Sequence, residues 1–201
     1  MEQEEGRGDV FNDEDEFSPF TILPIGISKE DALEAGAEAT DDDDVMKGET
    51  NWVDVEWDVV LMFEKGKLAT LAIQTAFDLT TLVAVLNKFD AYGYEPWQMT
   101  GAGGDNVEFY TLKAQGMNYD ELEQEYQVQI ESFLEGDAEK LSIILCLDEV
   151  LDAFADVAKK KGDGDALIKK EADSVIYAVT IDKKKETILV LMSTFGTLNA
   201  D

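Results

Sequence analysis

The chain of 201 residues contains no histidine, one cysteine and one arginine. The missing histidine excludes Ser-His-Asp and Cys-His catalysis together with histidine-ligated zinc, iron and copper sites. A lone thiol, Cys146, excludes an intrachain disulfide, thiolate clusters and Cys-x-x-Cys redox chemistry. Its setting, Leu141-Ser-Ile-Ile-Leu-Cys-Leu147, predicts a buried strand and an inert core thiol. There is no Gly-x-Ser-x-Gly elbow and no Gly-x-x-x-x-Gly-Lys-Ser/Thr loop. Gly101-Ala-Gly-Gly104 is rich in glycine, but it precedes an expected strand where a phosphate cradle needs a helix N-terminus, so it reads as a flexible loop. No stretch approaches 18 apolar residues, which excludes a membrane-spanning helix.

Positive charge is also scarce. Lys and Arg total 16 against 45 Asp and Glu, a formal charge of −29. Such a surface repels nucleic-acid phosphates and anionic membranes, and it draws in a basic protein partner. The charge is uneven: residues 1–50 hold 17 acids and 3 bases, net −14, and the rest holds 28 acids and 13 bases, net −15. Any recognition driven by charge is therefore best sought in the N-terminal quarter. The opening Met-Glu-Gln-Glu-Glu-Gly-Arg lacks the basic start and apolar run of a secretory leader. The expected location is cytoplasmic, or secreted or periplasmic if a leader had been removed.

With 45% hydrophobic residues the chain can fill a core without staples. Residues 1–18, with eight carboxylates, predict a disordered or loosely packed acidic tail. Arg7-Gly8-Asp9 within it is an integrin-type triplet by spelling, of a kind that chance supplies. Ser28-Lys-Glu-Asp31 has capping-box form and predicts a short helix over 29–36 ended by Gly36. An Asp-rich loop, Asp41 to Asp44, leads to Val53–Phe63, where Val53, Val55, Trp57, Val59, Leu61 and Phe63 alternate with acids. That is a half-buried strand. Val60 and Met62 make its far end apolar on both faces, which predicts cover on two sides, by another layer or by a partner. Glu64-Lys-Gly-Lys67 reads as a hairpin turn and Leu68–Phe77 as the returning strand. Asp78 caps a helix with Leu79, Leu82, Val83, Leu86 and Phe89 on one face and Gly93 at its stop. Val107–Lys113 alternates as a strand.

An offset of about 70 residues brings Phe63-Glu-Lys-Gly66 onto Phe133-Leu-Glu-Gly136, Asp78 onto Asp148, Gly93 onto Gly162, and Val107, Phe109 and Thr111 onto Val175, Tyr177 and Val179. The implied fold is α+β: antiparallel sheet with helices packed on one face, built from pseudo-duplicated ββαβ units. Residues 19–116 form the first unit and 117–201 the second, together one compact domain. Asn118–Glu135 fits two descriptions. Tyr119, Leu122, Tyr126, Ile130 and Phe133 have helical spacing, whereas the repeat favours a short helix over 118–125 followed by a strand. A hairpin of Val175–Ile181 and Thr187–Met192 closes the chain.

Ile25-Gly-Ile-Ser-Lys-Glu-Asp-Ala-Leu33, an acidic loop, a long strand and Phe63-Glu-Lys-Gly-Lys-Leu68 together resemble the layout of SmpA/BamE-like modules and the β-lactamase-inhibitor-protein family over residues 22–76. Ile27 stands where those families have Met. The resemblance implies a short helix on an antiparallel sheet, and binding to other proteins in place of catalysis.

Two acidic loops, Asp41-Asp-Asp-Asp44 and Gly162-Asp-Gly-Asp165, offer the hard oxygen ligands that calcium takes, but neither has EF-hand order, and no metal or cofactor is expected. The expected function is a non-catalytic interaction or inhibitor-like module with an acidic surface. Its partner-binding residues are Asp41, Asp42, Asp43, Asp44 and Trp52, the last placed by strand parity on the face opposite Trp57. A carboxylate-based hydrolase, which needs only two acids in different environments, and a calcium-responsive protein are the alternatives.

Overall fold

The computed structural model describes residues 17, 19–101, 106–160 and 164–198. Residues 1–16 and 18 of the expected 1–18 tail, with the Arg7-Gly8-Asp9 triplet, Ala102–Gly104 of the glycine-rich loop, and the side chains of Gly162–Asp165 lie outside them, whereas Phe17, expected in the loose tail, is buried against Trp52. The fold is α+β, with its strands paired antiparallel. Two compact units divide between Thr75 and Ala76, whereas the sequence reading divides the chain after residue 116.

In the first unit α1 (Lys29–Glu34) is followed by β1 (Glu38–Ala39), β2 (Val45–Trp52), β3 (Val55–Glu64) and β4 (Lys67–Ala76), which pair in that order. The capping box of α1 forms as expected: the Ser28 hydroxyl accepts from the Asp31 N–H, and the Asp31 carboxylate accepts from the Ser28 N–H. On β3 the expected alternation buries Trp57, Val59, Leu61 and Phe63. The strand does not begin at Val53, however. Val53 and Asp54 have φ of 51° and 61°, a two-residue hairpin connection that joins the paired ends Trp52 and Val55. Val60 and Met62 are exposed, so among the described residues no second layer of this chain covers that end of β3.

The second unit contains α2 (Leu79–Ala91), β5 (Tyr94–Gly101), β6 (Asn106–Glu108), α3 (Phe109–Ala114), α4 (Tyr119–Glu135), β7 (Lys140–Leu147), α5 (Asp148–Lys159), α6 (Gly164–Lys170), β8 (Val175–Asp182), β9 (Thr187–Thr194) and α7 (Phe195–Leu198). Its strands run in the order β9-β8-β7-β5-β6. Asp78 caps α2 by accepting from the Thr81 N–H, and Gly93, at φ 75°, takes the left-handed turn that releases the chain into β5. Cys146 is buried on β7, and the closing hairpin is β8 and β9.

Two expectations give way here. The strand expected over Val107–Lys113 lasts only to Glu108. Phe109 and Leu112, three residues apart, also share a helix face, and Lys113 anchors α3 to the first two turns of α5 through Asp148 (2.9 Å) and Asp152 (2.6 Å). Over Asn118–Glu135 the helical period wins: Tyr119–Glu135 is one helix, α4, with Asn118 as its N-cap. The Asn118 side chain accepts from the Glu121 N–H and the Glu121 carboxylate accepts from the Asn118 N–H, a second capping box. At the other end the Lys183 ammonium donates to the carbonyls of Phe133, Leu134 and Gly136, supplying the orphan acceptors of the last turn with a cation. Phe133-Leu-Glu-Gly136 is therefore a helix end where Phe63–Gly66 is a hairpin, and the 70-residue correspondence breaks there.

Candidate binding cleft

The acids singled out in the sequence lie in the connection between β1 and β2. Asp41, Asp42, Asp43 and Asp44 are all exposed, but the loop is wound on itself. The Asp42 carboxylate accepts from the Asp44 N–H (2.9 Å), the Thr40 hydroxyl donates to the Val45 carbonyl (2.9 Å), and Lys29 pairs with Asp44 at 2.9 Å. Among the described residues no three acidic or thiol groups converge as metal ligands would. Trp52 is not at the surface. It is 4% exposed, with ring centroids 5.3 Å from Phe20, 6.4 Å from Phe17 and 5.7 Å from Trp57, and its carbonyl accepts from the Trp57 indole N–H. Parity counted straight through Val53 and Asp54 misplaces it, because those two residues are a turn and restart the alternation.

A different feature collects the second unit's surface chemistry. Between α2 and α4 runs a cleft of about 350 Å³. One wall is Leu79, Val83 and Leu86 of α2, and the other is Tyr119, Tyr126, Ile130 and Leu134 of α4. These spacings of three, four and seven residues put each set on one helix face. Beneath them lie buried Leu82, Phe89, Phe109, Leu122 and Leu145, and the start of β5 contributes Tyr94, Glu95 and Pro96. Proline has no N–H to give a ladder, and the β5–β7 register shifts between Pro96 and Gln98, leaving Trp97 as the extra residue of a bulge. Leu79, Val83 and Tyr119 are 51%, 49% and 53% exposed, so the apolar lining continues out to solvent.

Three acids, Asp90, Glu95 and Glu123, are set into this lining. Glu95 is half-buried, and burial pushes its carboxyl above the usual carboxylate range. The charges of Asp148 and Asp90 add to that, while Lys113 and a hydrogen bond from the Tyr119 hydroxyl work against it. The Tyr119 phenol is pushed up in turn, chiefly by the charge of Glu95, and the Tyr126 phenol by burial. Tyr94 shares a hydrogen bond with Tyr177. Cys146 stands opposite Glu95 in the β5–β7 register, and burial, with Glu95 and Asp148 behind it, raises its thiol to about 12. At that value it stays protonated, and with no exposed surface it is no nucleophile.

The arrangement can enclose apolar side chains and hold a cation against Glu95. The face of α2 that makes one wall is legible in the sequence, as is the competing helical period that makes the other. Glu95 carries no signal of its own, since it becomes a site residue only through the packing of α4 over β5. Set against protein-family models, curated proteins and solved structures, the chain matches none of them.

Proposed function

We propose that this protein is a non-catalytic interaction module that docks a protein partner in the α2–α4 cleft. The observation that carries the reading is the exposed apolar lining of that cleft with acids set into it. Leu79, Val83 and Tyr119 are large and open to solvent, and they line the same cleft as the half-buried carboxylate Glu95. Exposed apolar surface rimmed by polar groups marks an interaction site, and grooves between helices commonly take an apolar helix face. The charge of −29 favours a basic partner and speeds its approach. The resemblance of residues 22–76 to protein-binding modules agrees with a non-catalytic binding role. In this reading Asp41–Asp44 contribute to the long-range field and Trp52 contributes to stability.

Affinity capture from the native lysate tests the reading, with wild type compared against Val83→Asp. Position 83 is exposed on α2, so the variant keeps its fold, which circular dichroism verifies. A partner retained by wild type and lost by Val83→Asp is the expected result. A wild-type chain that retains nothing the variant loses overturns the reading.

Glu95 gives one observation to a second reading, a carboxylate-based hydrolase, because a carboxyl raised by burial inside a cleft is the form a general acid takes. Turnover of chromogenic glycosides or esters that disappears in Glu95→Gln would establish it in place of the first.

A further inference from the structure

We infer that the cleft's occupant is an amphipathic helix of a partner protein that seats a lysine or arginine on Glu95. This deepens the docking reading above and rests on it. Asp90 and Asp148 act on Glu95 unfavourably, and Glu123 is a further acid in the same lining. Among the described residues Lys113 is the cation that acts on Glu95, but its ammonium is held at 2.9 Å from Asp148 and 2.6 Å from Asp152, where it fastens α3 to α5. Lys113 therefore serves two carboxylates before Glu95.

A carboxylate can accept about four hydrogen bonds, and the Tyr119 hydroxyl supplies one. In the open cleft, water can solvate the remainder. An apolar occupant would expel that water and leave a buried charge with like charges around it, a costly arrangement. An acidic occupant would add repulsion. An occupant that brings its own cation removes the cost and gains a charge-assisted hydrogen bond. Tyr94, Tyr119 and Tyr126 line the cleft beside Glu95, and aromatic faces are favourable neighbours for an ammonium or guanidinium. The long aliphatic stem of Lys or Arg suits the apolar walls through which it must pass. Both walls are side chains projecting from helices, a surface read by side chains at i, i+3, i+4 and i+7 of a helical ligand.

The test uses three fluorescent 16-residue Leu/Ala helical peptides that differ at one central position on the apolar face, carrying Lys, Gln or Glu there. Wild type is expected to bind the Lys peptide about tenfold more tightly than the Gln peptide, the scale of one hydrogen bond to a charged group, and the Glu peptide more weakly than both. Glu95→Gln retains an acceptor for Tyr119 and is expected to bind the Lys and Gln peptides equally. Asp120→Asn, which removes an exposed acid of α4 outside the cleft lining, is expected to keep the Lys preference. Equal binding of Lys and Gln peptides by wild type, with both lost in Val83→Asp, overturns the cation inference and leaves the docking reading standing. A Lys preference that survives in Glu95→Gln also overturns the inference. Failure of all three peptides to bind wild type overturns both.

Discussion

Glu95 and Trp52 show how far a single side chain's role depends on its surroundings. Glu95 holds its proton more tightly in the folded protein than an exposed glutamate does, so its contribution to stability has the opposite sign from that of a capping aspartate. Folding is favoured by protonated Glu95 at low pH, and that advantage is lost as pH rises from the ordinary glutamate value through the higher folded value. Glu95→Gln should therefore melt at a higher temperature than wild type at pH 7, with the difference vanishing near pH 4. A variant that melts lower at pH 7 would contradict this, showing that the fold stabilises the ionised carboxylate instead of penalising it. Trp52 lies among Phe17, Phe20 and Trp57, so Trp52→Ala should cost about 3–5 kcal/mol in urea denaturation, the range for truncating a buried aromatic. Its burial was hidden from a parity count by the Val53–Asp54 turn, which carries no glycine or asparagine to announce it.

At the scale of elements, helices with local end signals were legible and those decided by remote contacts were less so. The caps of α1 and α2, at Ser28 and Asp78, lie next to the helices they start. The length of α4 turns on Asn118 at one end and on Lys183, 50 residues from Phe133, at the other, and only the first is visible locally. Strands β2 and β5 were missed because Lys-Gly-Glu-Thr-Asn and Tyr-Glu-Pro-Trp-Gln have neither clean alternation nor apolar runs, and what fixes them is pairing with β3 and β7. Asn118→Ala removes the acceptor for the Glu121 N–H and should destabilise the protein by about 1 kcal/mol in equilibrium unfolding. The Asp78 carboxyl is held below its ordinary range, first by the Thr81 N–H. Its support for α2 is present above the ordinary aspartate value and is lost as pH falls through the folded value, so Asp78→Asn should blunt acid unfolding.

For the whole molecule, the dominant quantity is the charge of −29, of which residues 1–50 carry −14. Self-repulsion of that size destabilises the compact state and is screened by salt, so the melting temperature should rise between about 10 mM and about 500 mM sodium chloride. The α+β class, the closing hairpin and the buried thiol were legible in the sequence. The 70-residue correspondence holds at Asp78 and Asp148, which both stand at helix starts, and fails where the same Phe-x-x-Gly spelling turns a hairpin at Phe63 and ends a helix at Phe133.

The cleft belongs to this scale as well, since α2, β5 and α4 make a site only when packed together. The central claim is that the captured partner sits there. Site-specific photocrosslinking tests it most directly, with benzoylphenylalanine placed at position 83 in the cleft or at position 42 in the acidic loop. Docking between α2 and α4 predicts a covalent adduct with the partner from position 83 and none from position 42. An adduct from position 42 with none from position 83 would contradict it.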